Sequence, residues 1–298
     1  MNTQEWALLI FSILAQLAVG MMLVLMIVRT SAVKKLGEEK AARLTNMPLY
    51  AVVPIMILAM VASLFHLGKV LNIIGAVPNL GTSWLSREVV LAVLFLILVA
   101  VVAFLLWRKS SSGAVAIVGW ITAVVGLFLI YAMGMTYMLP AQPAWNTLAT
   151  PVTFFLTALL LGVLGAATFL VASYLRMQKD TAVDGFAKGT LQKLAVTGVI
   201  LLALEFVVLP IYMAFLSTQG VAALHSLRMM IFDYGSVLLL RLLMVFAGVC
   251  VLAYYLYRRA TTSESLSPSL VYTAFALVML GEILSRYLFY ATHFRIGV

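Results

Sequence analysis

Residues 88–107 read EVVLAVLFLILVAVVAFLLW, in which Glu88 is followed by nineteen residues without a charge. About 20 apolar residues cross a bilayer as an α-helix, and only helices and closed barrels satisfy the backbone in lipid. A barrel strand would alternate polar and apolar residues over about ten positions, and this run does not. The stretch therefore predicts a membrane-spanning helix that begins at Glu88.

Similar apolar runs occur along the whole chain. Hydrophobic residues make up 64% of the 298 residues and charged residues only 10%, whereas soluble domains carry about a quarter charged residues. We therefore predict an all-α integral membrane fold with a single polytopic domain, residues 1–298. Its eight transmembrane helices are expected at 6–29, 47–65, 88–107, 114–135, 151–174, 191–215, 233–257 and 270–292.

The basic residues predict the orientation of the spans. Thirteen of the nineteen Lys and Arg residues lie around the loops that follow the first, third, fifth and seventh spans. The positive-inside rule places these loops in the cytoplasm and both termini in the periplasm. The segment Met1 to Glu5 has no basic residue, so the first span is expected to be retained and not cleaved as a signal peptide. The predicted location is the bacterial inner membrane, in contact with lipid.

Several functions are excluded by composition. The single cysteine, Cys250, can form neither an intrachain disulfide nor a thiolate-ligated iron–sulfur cluster. The net charge of +9 lies in short loops, where it sets topology and does not indicate nucleic-acid binding. A haem would need a histidine pair, and the two histidines near helix ends, His66 and His293, both lie at an outer edge. We therefore expect no haem, iron–sulfur cluster or metal in this chain.

Ionisable residues gather at the predicted outer ends of four spans. Charges within spans are costly and usually face the bundle interior or a water-filled cavity, so the gathering predicts a polar site at this face. The residues are His66 at the end of the second span, Arg87 and Glu88 at the start of the third, Asp233 and Arg241 in the seventh, and Glu282, Arg286 and His293 in the eighth.

Structural interpretations of these residues stay open. Glu282 and Arg286, four positions apart, could neutralise each other within the bundle. Arg87 could extend to the interface, and His66 could bond helix carbonyls. Trp84, Tyr287 and Tyr290 fit an interfacial aromatic belt better than a quinone-stacking cage. Glu205, in mid-span without a local cation, could serve a proton path or bond a hydroxyl of another helix.

At these motifs the sequence resembles the DmsC family, the membrane anchor subunits of anaerobic dimethyl sulfoxide reductases. Each motif is modest, but their order over most of the length makes the match specific. The matching stretches are Ser63 to Gly68, Gly81 to Glu88, Trp145 to Thr157, Asp233 to Gly235 with Arg241, and Gly281-Glu282 with Arg286, Phe289, Tyr290 and His293.

The resemblance implies oxidation of menaquinol and transfer of its electrons to a four-cluster iron–sulfur subunit, which feeds a molybdopterin catalytic subunit. It also implies that His66 and Glu88 are the catalytic residues and that Gly68 lies beside them. One departure is Lys69, because family members follow the His-Leu-Gly motif with a proline and then an arginine. Lys69 could supply the missing charge.

The predicted mechanism follows from the chemistry of a quinol, which releases two electrons and two protons. A neutral histidine suits one hydroxyl, and Glu88 at the membrane edge can pass the other proton to water. With no redox centre in this chain, electrons must leave directly to a docked partner, so we expect a shallow site and partners on the periplasmic side. The predicted quinol-binding residues are His66, Gly68, Lys69, Arg87, Glu88, Arg241, Glu282, Arg286 and His293, with Glu205 and Asp233 as a possible proton path.

Two alternatives remain. The first is a quinone-reactive anchor of the polysulfide, thiosulfate or tetrathionate reductase type. The second is a small-molecule or ion transporter in which Glu205 and Pro210 mark a broken helix at the midplane. A transporter would be expected to carry midplane polar sites in two matching halves, and the sequence shows one midplane acid.

Overall fold

The computed structural model describes residues 3–67, 77–177, 180–261 and 268–294, with side chains for 5–65, 78–177, 180–258 and 268–294. These residues form α-helices joined by short connections, and the described part contains no β-strand. The helices are α1 Thr3–Leu36, α2 Glu38–Leu67, α3 Trp84–Trp107, α4 Ser112–Thr136, α5 Ala149–Tyr174, α6 Thr181–Thr218, α7 Val221–Arg228, α8 Gly235–Thr261 and α9 Pro268–Ala291.

Eight of these helices, all except the short α7, are long and apolar enough to cross a membrane. This confirms the predicted all-α membrane fold with eight spans. With eight spans, the start of α1 and the end of α9 lie on one face, which we call the terminal face, and the α1–α2 connection lies on the opposite face, which we call the basic face. Helices α3, α5 and α8 also begin at the terminal face.

The helix ends differ from the predicted spans on the basic face. Helix α2 begins at Glu38 and α6 at Thr181, roughly two and a half to three turns before the predicted spans begin. The added residues include several Glu, Lys and Ala, which are good helix formers and continue a helix beyond the bilayer. At the other face Asp233 does not start a span as predicted. It ends the π-helical turn Met229–Asp233 that precedes α8.

Side chains fix where two helices begin. The Ser83 hydroxyl accepts a hydrogen bond from the Ser86 backbone N–H at 3.3 Å and caps α3. At the basic face, Asp180 accepts from the Ala182 N–H at 3.0 Å and caps α6. The Lys40 ammonium, 2.6 Å from the Asp180 carboxylate, lowers the pKa of Asp180, and the capped N–H groups add to this shift.

Helices α1 and α5 form the centre of the bundle. About 78% of the apolar segment of α1 and 72% of that of α5 is buried, against at most 39% for any other span. The two helices cross at Gly20 and Gly162. A methyl group built on Gly20 would lie 1.8 Å from the Ala158 carbonyl oxygen, and one on Gly162 would lie 2.2 Å from the Gly20 carbonyl carbon. The backbones therefore touch, as they do at small-residue crossings in membranes.

The remaining long helices surround this central pair. Helices α2 and α4 pack against α1 on one side, with α3 outside them, and α6 and α9 pack against α5 on the other, with α8 outside them. Polar residues that face α1 or α5 are therefore enclosed by protein on all sides. This arrangement is what buries the ionisable groups described next.

Candidate functional site

The Glu88 carboxyl is enclosed at the start of α3. The residue is only 6% exposed, and its Oε2 atom has no hydrogen-bond partner among the described residues. Thr136, at the end of α4, lies beside it. The expectation that Glu88 borders water at the membrane edge is therefore wrong, because neighbouring helices cover this position.

The other half of the predicted catalytic pair lies at the end of α2. His66 occupies the last turn of that helix, and its side chain lies outside the described residues. Gly68 and Lys69 also lie outside the described residues. Their predicted roles stay predictions.

Arg87 is bound by the loop that precedes α3. Its guanidinium donates to the carbonyl oxygens of Leu80 and Gly81, at 2.8 Å each. It also lies over the Trp84 ring, 4.1 Å from the ring centroid. These contacts are those of an arginine that fixes a loop at the membrane surface, in agreement with the interfacial interpretation of Arg87.

A second group of buried charges lies between α5, α6, α8 and α9. Arg241 of α8 forms an ion pair with Glu205 of α6, and Glu282 of α9 lies beside them. The Thr157 hydroxyl of α5 donates to Glu282 Oε2 at 2.6 Å. Glu205 thus has a cation partner, contrary to the prediction, because the partner comes from another helix and not from its own.

Arg286 connects this group to α1. Its guanidinium donates to Gln16 Oε1 at 3.0 Å and lies 3.8 Å from the centroid of the Phe154 ring. Gln16 Nε2 in turn donates to the Phe154 carbonyl at 2.9 Å. Within the described part of the protein Arg286 forms no ion pair with Glu282, so the alternative of a self-neutralising pair on α9 is wrong. The two side chains bond to different helices.

An aromatic cluster borders Arg286, whose guanidinium lies over the rings of Phe154 and Phe289. The hydroxyls of Tyr137 and Tyr290 are 2.8 Å apart. Tyr290 is 2% exposed, so its assignment to an interfacial belt is wrong. Trp145 stacks on Phe289, with ring centroids 5.0 Å apart, and on His293, with centroids 4.5 Å apart. His293 thus belongs to this cluster, with its Nδ1 2.6 Å from the Tyr290 carbonyl oxygen.

A cavity of about 80 Å³ lies beside the buried charges. Its charged lining consists of Glu205, Arg241 and Arg286, and three threonines of α5 add hydroxyls. The lining continues to Thr292, next to the end of α9 at the terminal face. Asp233 does not line it and is exposed on the surface. Of the two residues predicted for a proton path, Glu205 therefore belongs to the cavity and Asp233 does not.

The sequence interpretation missed three polar residues of this interior: Gln16, Tyr137 and Thr157. Thr157 could have been found, because Thr150, Thr153 and Thr157 repeat at helical spacing on α5. Gln16 also gave a signal as a lone amide inside the apolar run of α1. Tyr137 gave none, since a tyrosine at the end of a span is ordinarily an interfacial residue.

The fold and the buried polar residues define the class of protein. It is a multi-pass membrane protein of eight long helices, with Glu and Arg side chains buried between them. The model of the DMSO reductase anchor subunit (DmsC) family matches residues 1–292. The protein therefore belongs to the DMSO reductase anchor subunit family.

Three relatives are similar to this protein over nearly their whole lengths. The sequence is 28% identical over 306 aligned residues to the YnfH subunit of anaerobic dimethyl sulfoxide reductase from Escherichia coli strain K12, with 99% of this protein and 96% of the relative covered. It is 25% identical to the C subunit of anaerobic dimethyl sulfoxide reductase from the same strain, with 99% and 96% covered. The corresponding C subunit of Haemophilus influenzae is also 25% identical, with 100% and 99% covered. The protein is thus a multi-pass anchor subunit of the bacterial inner membrane.

Proposed function

We propose that this subunit oxidises menaquinol near the terminal face and passes the electrons to an iron–sulfur subunit, which supplies a molybdopterin catalytic subunit. Membership of the anchor family supports a complex with catalytic and iron–sulfur partners. The sequence has one cysteine, so the first electron acceptor has to lie on a partner. We assign the terminal face to the periplasm on the distribution of basic residues.

One observation carries the proposal: the buried Glu88 oxygen without a partner among the described residues. A buried carboxyl oxygen is costly to leave unbonded, so its position favours a ligand with a hydroxyl donor. A quinol presents two such hydroxyls on an apolar ring. Glu88 would accept the proton of one hydroxyl, and His66 would accept the proton of the other, since imidazole is a proton acceptor at neutral pH.

The reaction balances within this assignment. One menaquinol gives one menaquinone, two electrons and two protons. The electrons leave to the iron–sulfur subunit, and the protons pass to Glu88 and His66. Gly68, Lys69 and Arg87 would complete the headgroup site, and His293 would border it.

The transport alternative loses its main support. It rested on Glu205 as an unpaired acid in mid-membrane, and Glu205 is paired with Arg241. No observation on the described residues favours a polysulfide, thiosulfate or tetrathionate acceptor over a sulfoxide or N-oxide. The terminal acceptor is decided on the catalytic subunit.

The test is quinol oxidation by the purified complex that carries this subunit. We expect Glu88→Gln and His66→Ala each to lower the turnover of a reduced menaquinone analogue by about 100-fold or more, the usual effect of removing a general base. The matched control is Glu39→Gln, an acid at the basic face whose side chain is 79% exposed. Co-purification of the partner subunits checks assembly. If both variants oxidise the quinol at the wild-type rate while the complex stays intact, Glu88 and His66 are not the proton acceptors.

A further inference from the structure

We infer that the hydroxyl pair Tyr137–Tyr290 and the cavity between α5, α6, α8 and α9 form the exit route for a proton released at Glu88. This inference rests on the proposed quinol oxidation and adds to it a path and the residues that form it. The two tyrosines are positioned as proton carriers, and the Glu205–Arg241 pair and Arg286 are positioned as the groups that hold water in the cavity.

The need for a route comes from the burial of Glu88. A carboxyl that is 6% exposed cannot exchange a proton with bulk water directly, yet it must lose one proton in every turnover to act again. The Thr136 hydroxyl beside it donates to the carbonyl of Ala132 within its own helix at 2.9 Å. Tyr137, by contrast, directly follows Thr136 at the end of α4, and its hydroxyl is hydrogen-bonded to that of Tyr290 on α9.

The tyrosine pair can carry a proton without becoming charged. Its two oxygens are 2.8 Å apart, the usual separation of a strong O–H···O hydrogen bond. Tyr137 takes the proton of Glu88 as it gives its own to Tyr290, and Tyr290 gives its own to water. One proton leaves Glu88 and one arrives in the cavity, so both tyrosines end as neutral phenols with their hydrogen bond reversed.

Arg286 links the tyrosine pair to the cavity. It lies beside Tyr290 and also lines the cavity. Its guanidinium is fixed by Gln16 and the face of Phe154, while its Nε has no partner among the described residues. Arg286 is thus a fixed cation with a free N–H donor beside the tyrosine pair. This donor orients the oxygen of a water molecule towards Arg286.

The cavity fits water better than a second quinol. Three buried atoms of its lining residues have no hydrogen-bond partner within the described residues: Glu205 Oε2, Arg241 Nε and Arg286 Nε. Buried polar atoms of this kind are ordinarily satisfied by ordered water. The volume of about 80 Å³ accommodates water but lies well below the roughly 300–1,000 Å³ of pockets that enclose drug-sized ligands.

The lining of the cavity leads towards the terminal face. The wall runs from Arg286 past Phe289 to Thr292, at the end of α9. The proton therefore leaves at the terminal face, as the electrons do.

The experiment compares Tyr137→Phe and Tyr290→Phe with wild type in the purified complex. Each change keeps the ring and removes only the hydroxyl. We expect kcat for the menaquinol analogue to fall at least tenfold while KM changes less than twofold, and the solvent deuterium isotope effect on kcat to rise, because proton exit becomes rate-limiting. The control Tyr174→Phe removes a hydroxyl that donates to Asp184 at the basic face and should leave all three quantities unchanged.

Other outcomes separate this inference from the proposed function. Normal kcat in both tyrosine variants, with Glu88→Gln inactive, would overturn the route and leave the quinol site standing. A raised KM with normal kcat would assign the tyrosines to binding and also overturn the route. Full turnover in Glu88→Gln would remove the proposed site itself. If either tyrosine variant fails to assemble, Thr153→Leu tests the same route by filling the cavity, and normal kcat in that variant counts against it.

Discussion

Replacing Gly162 by alanine is expected to abolish accumulation of the folded subunit. The added methyl would lie 2.2 Å from the Gly20 carbonyl carbon and 2.4 Å from its Cα, and both are backbone atoms that no rotamer change can move. Helices α1 and α5 would have to separate along their whole crossing. Overpacking a core with side-chain contacts costs about 1–3 kcal/mol, so this backbone clash should cost more.

The measurement is the yield and thermal midpoint of the detergent-solubilised protein. Gly189→Ala is the matched control, because a methyl on Gly189 in α6 meets no atom within 4 Å. Alanine is also favoured over glycine in a helix by about 1 kcal/mol, so this variant should be as stable as wild type or slightly more stable. A Gly162→Ala protein with the midpoint of wild type would show that the crossing is looser than described.

Removing one member of the Glu205–Arg241 pair is expected to have the second large effect. Arg241→Met leaves the Glu205 carboxyl buried beside Glu282 without its ion-pair partner. Breaking a buried ion pair by removing one partner typically costs about 3–5 kcal/mol, since the remaining charge has lost its compensating partner. The double variant Glu205→Gln, Arg241→Met should regain most of this loss, because it leaves no uncompensated charge.

The free energy of unfolding in a denaturing detergent series measures both variants. Arg43→Met is the control, since Arg43 pairs with Glu39 at the basic face with side chains that are 63% and 79% exposed. An exposed pair contributes about 1 kcal/mol or less. Equal losses in the single and the double variant would mean that Arg241 stabilises the bundle by packing and not by pairing with Glu205.

The spans could be predicted because the bilayer imposes one solution locally. A run such as 88–107 has to be a helix, whatever surrounds it. The helix ends on the basic face could not be predicted in the same way. The bilayer does not constrain residues in water, so α2 begins before its apolar run. The π-helical turn Met229–Asp233 was missed for a related reason: its five residues look like the start of α8.

The polar interior was only half predictable. Charged residues in a span are a strong signal, and Glu205, Arg241, Glu282 and Arg286 were all identified as unusual. Their partners depend on how each helix is rotated about its axis. A helix with apolar residues on every side gives no sequence signal for that rotation. Glu282 therefore bonds to Thr157 of α5 and not to Arg286, four positions along its own helix.

The crossing of α1 and α5 has a consequence for biogenesis. A ribosome delivers α1 to the membrane first, but its central partner appears only after α2, α3 and α4 have been inserted. Until then the surface around Gly20, with the Gln16 amide on it, faces lipid or the insertion machinery, where an unbonded amide is unfavourable. The first half of the protein therefore remains an incomplete assembly, and the subunit reaches its final fold only after the fifth span has entered the membrane.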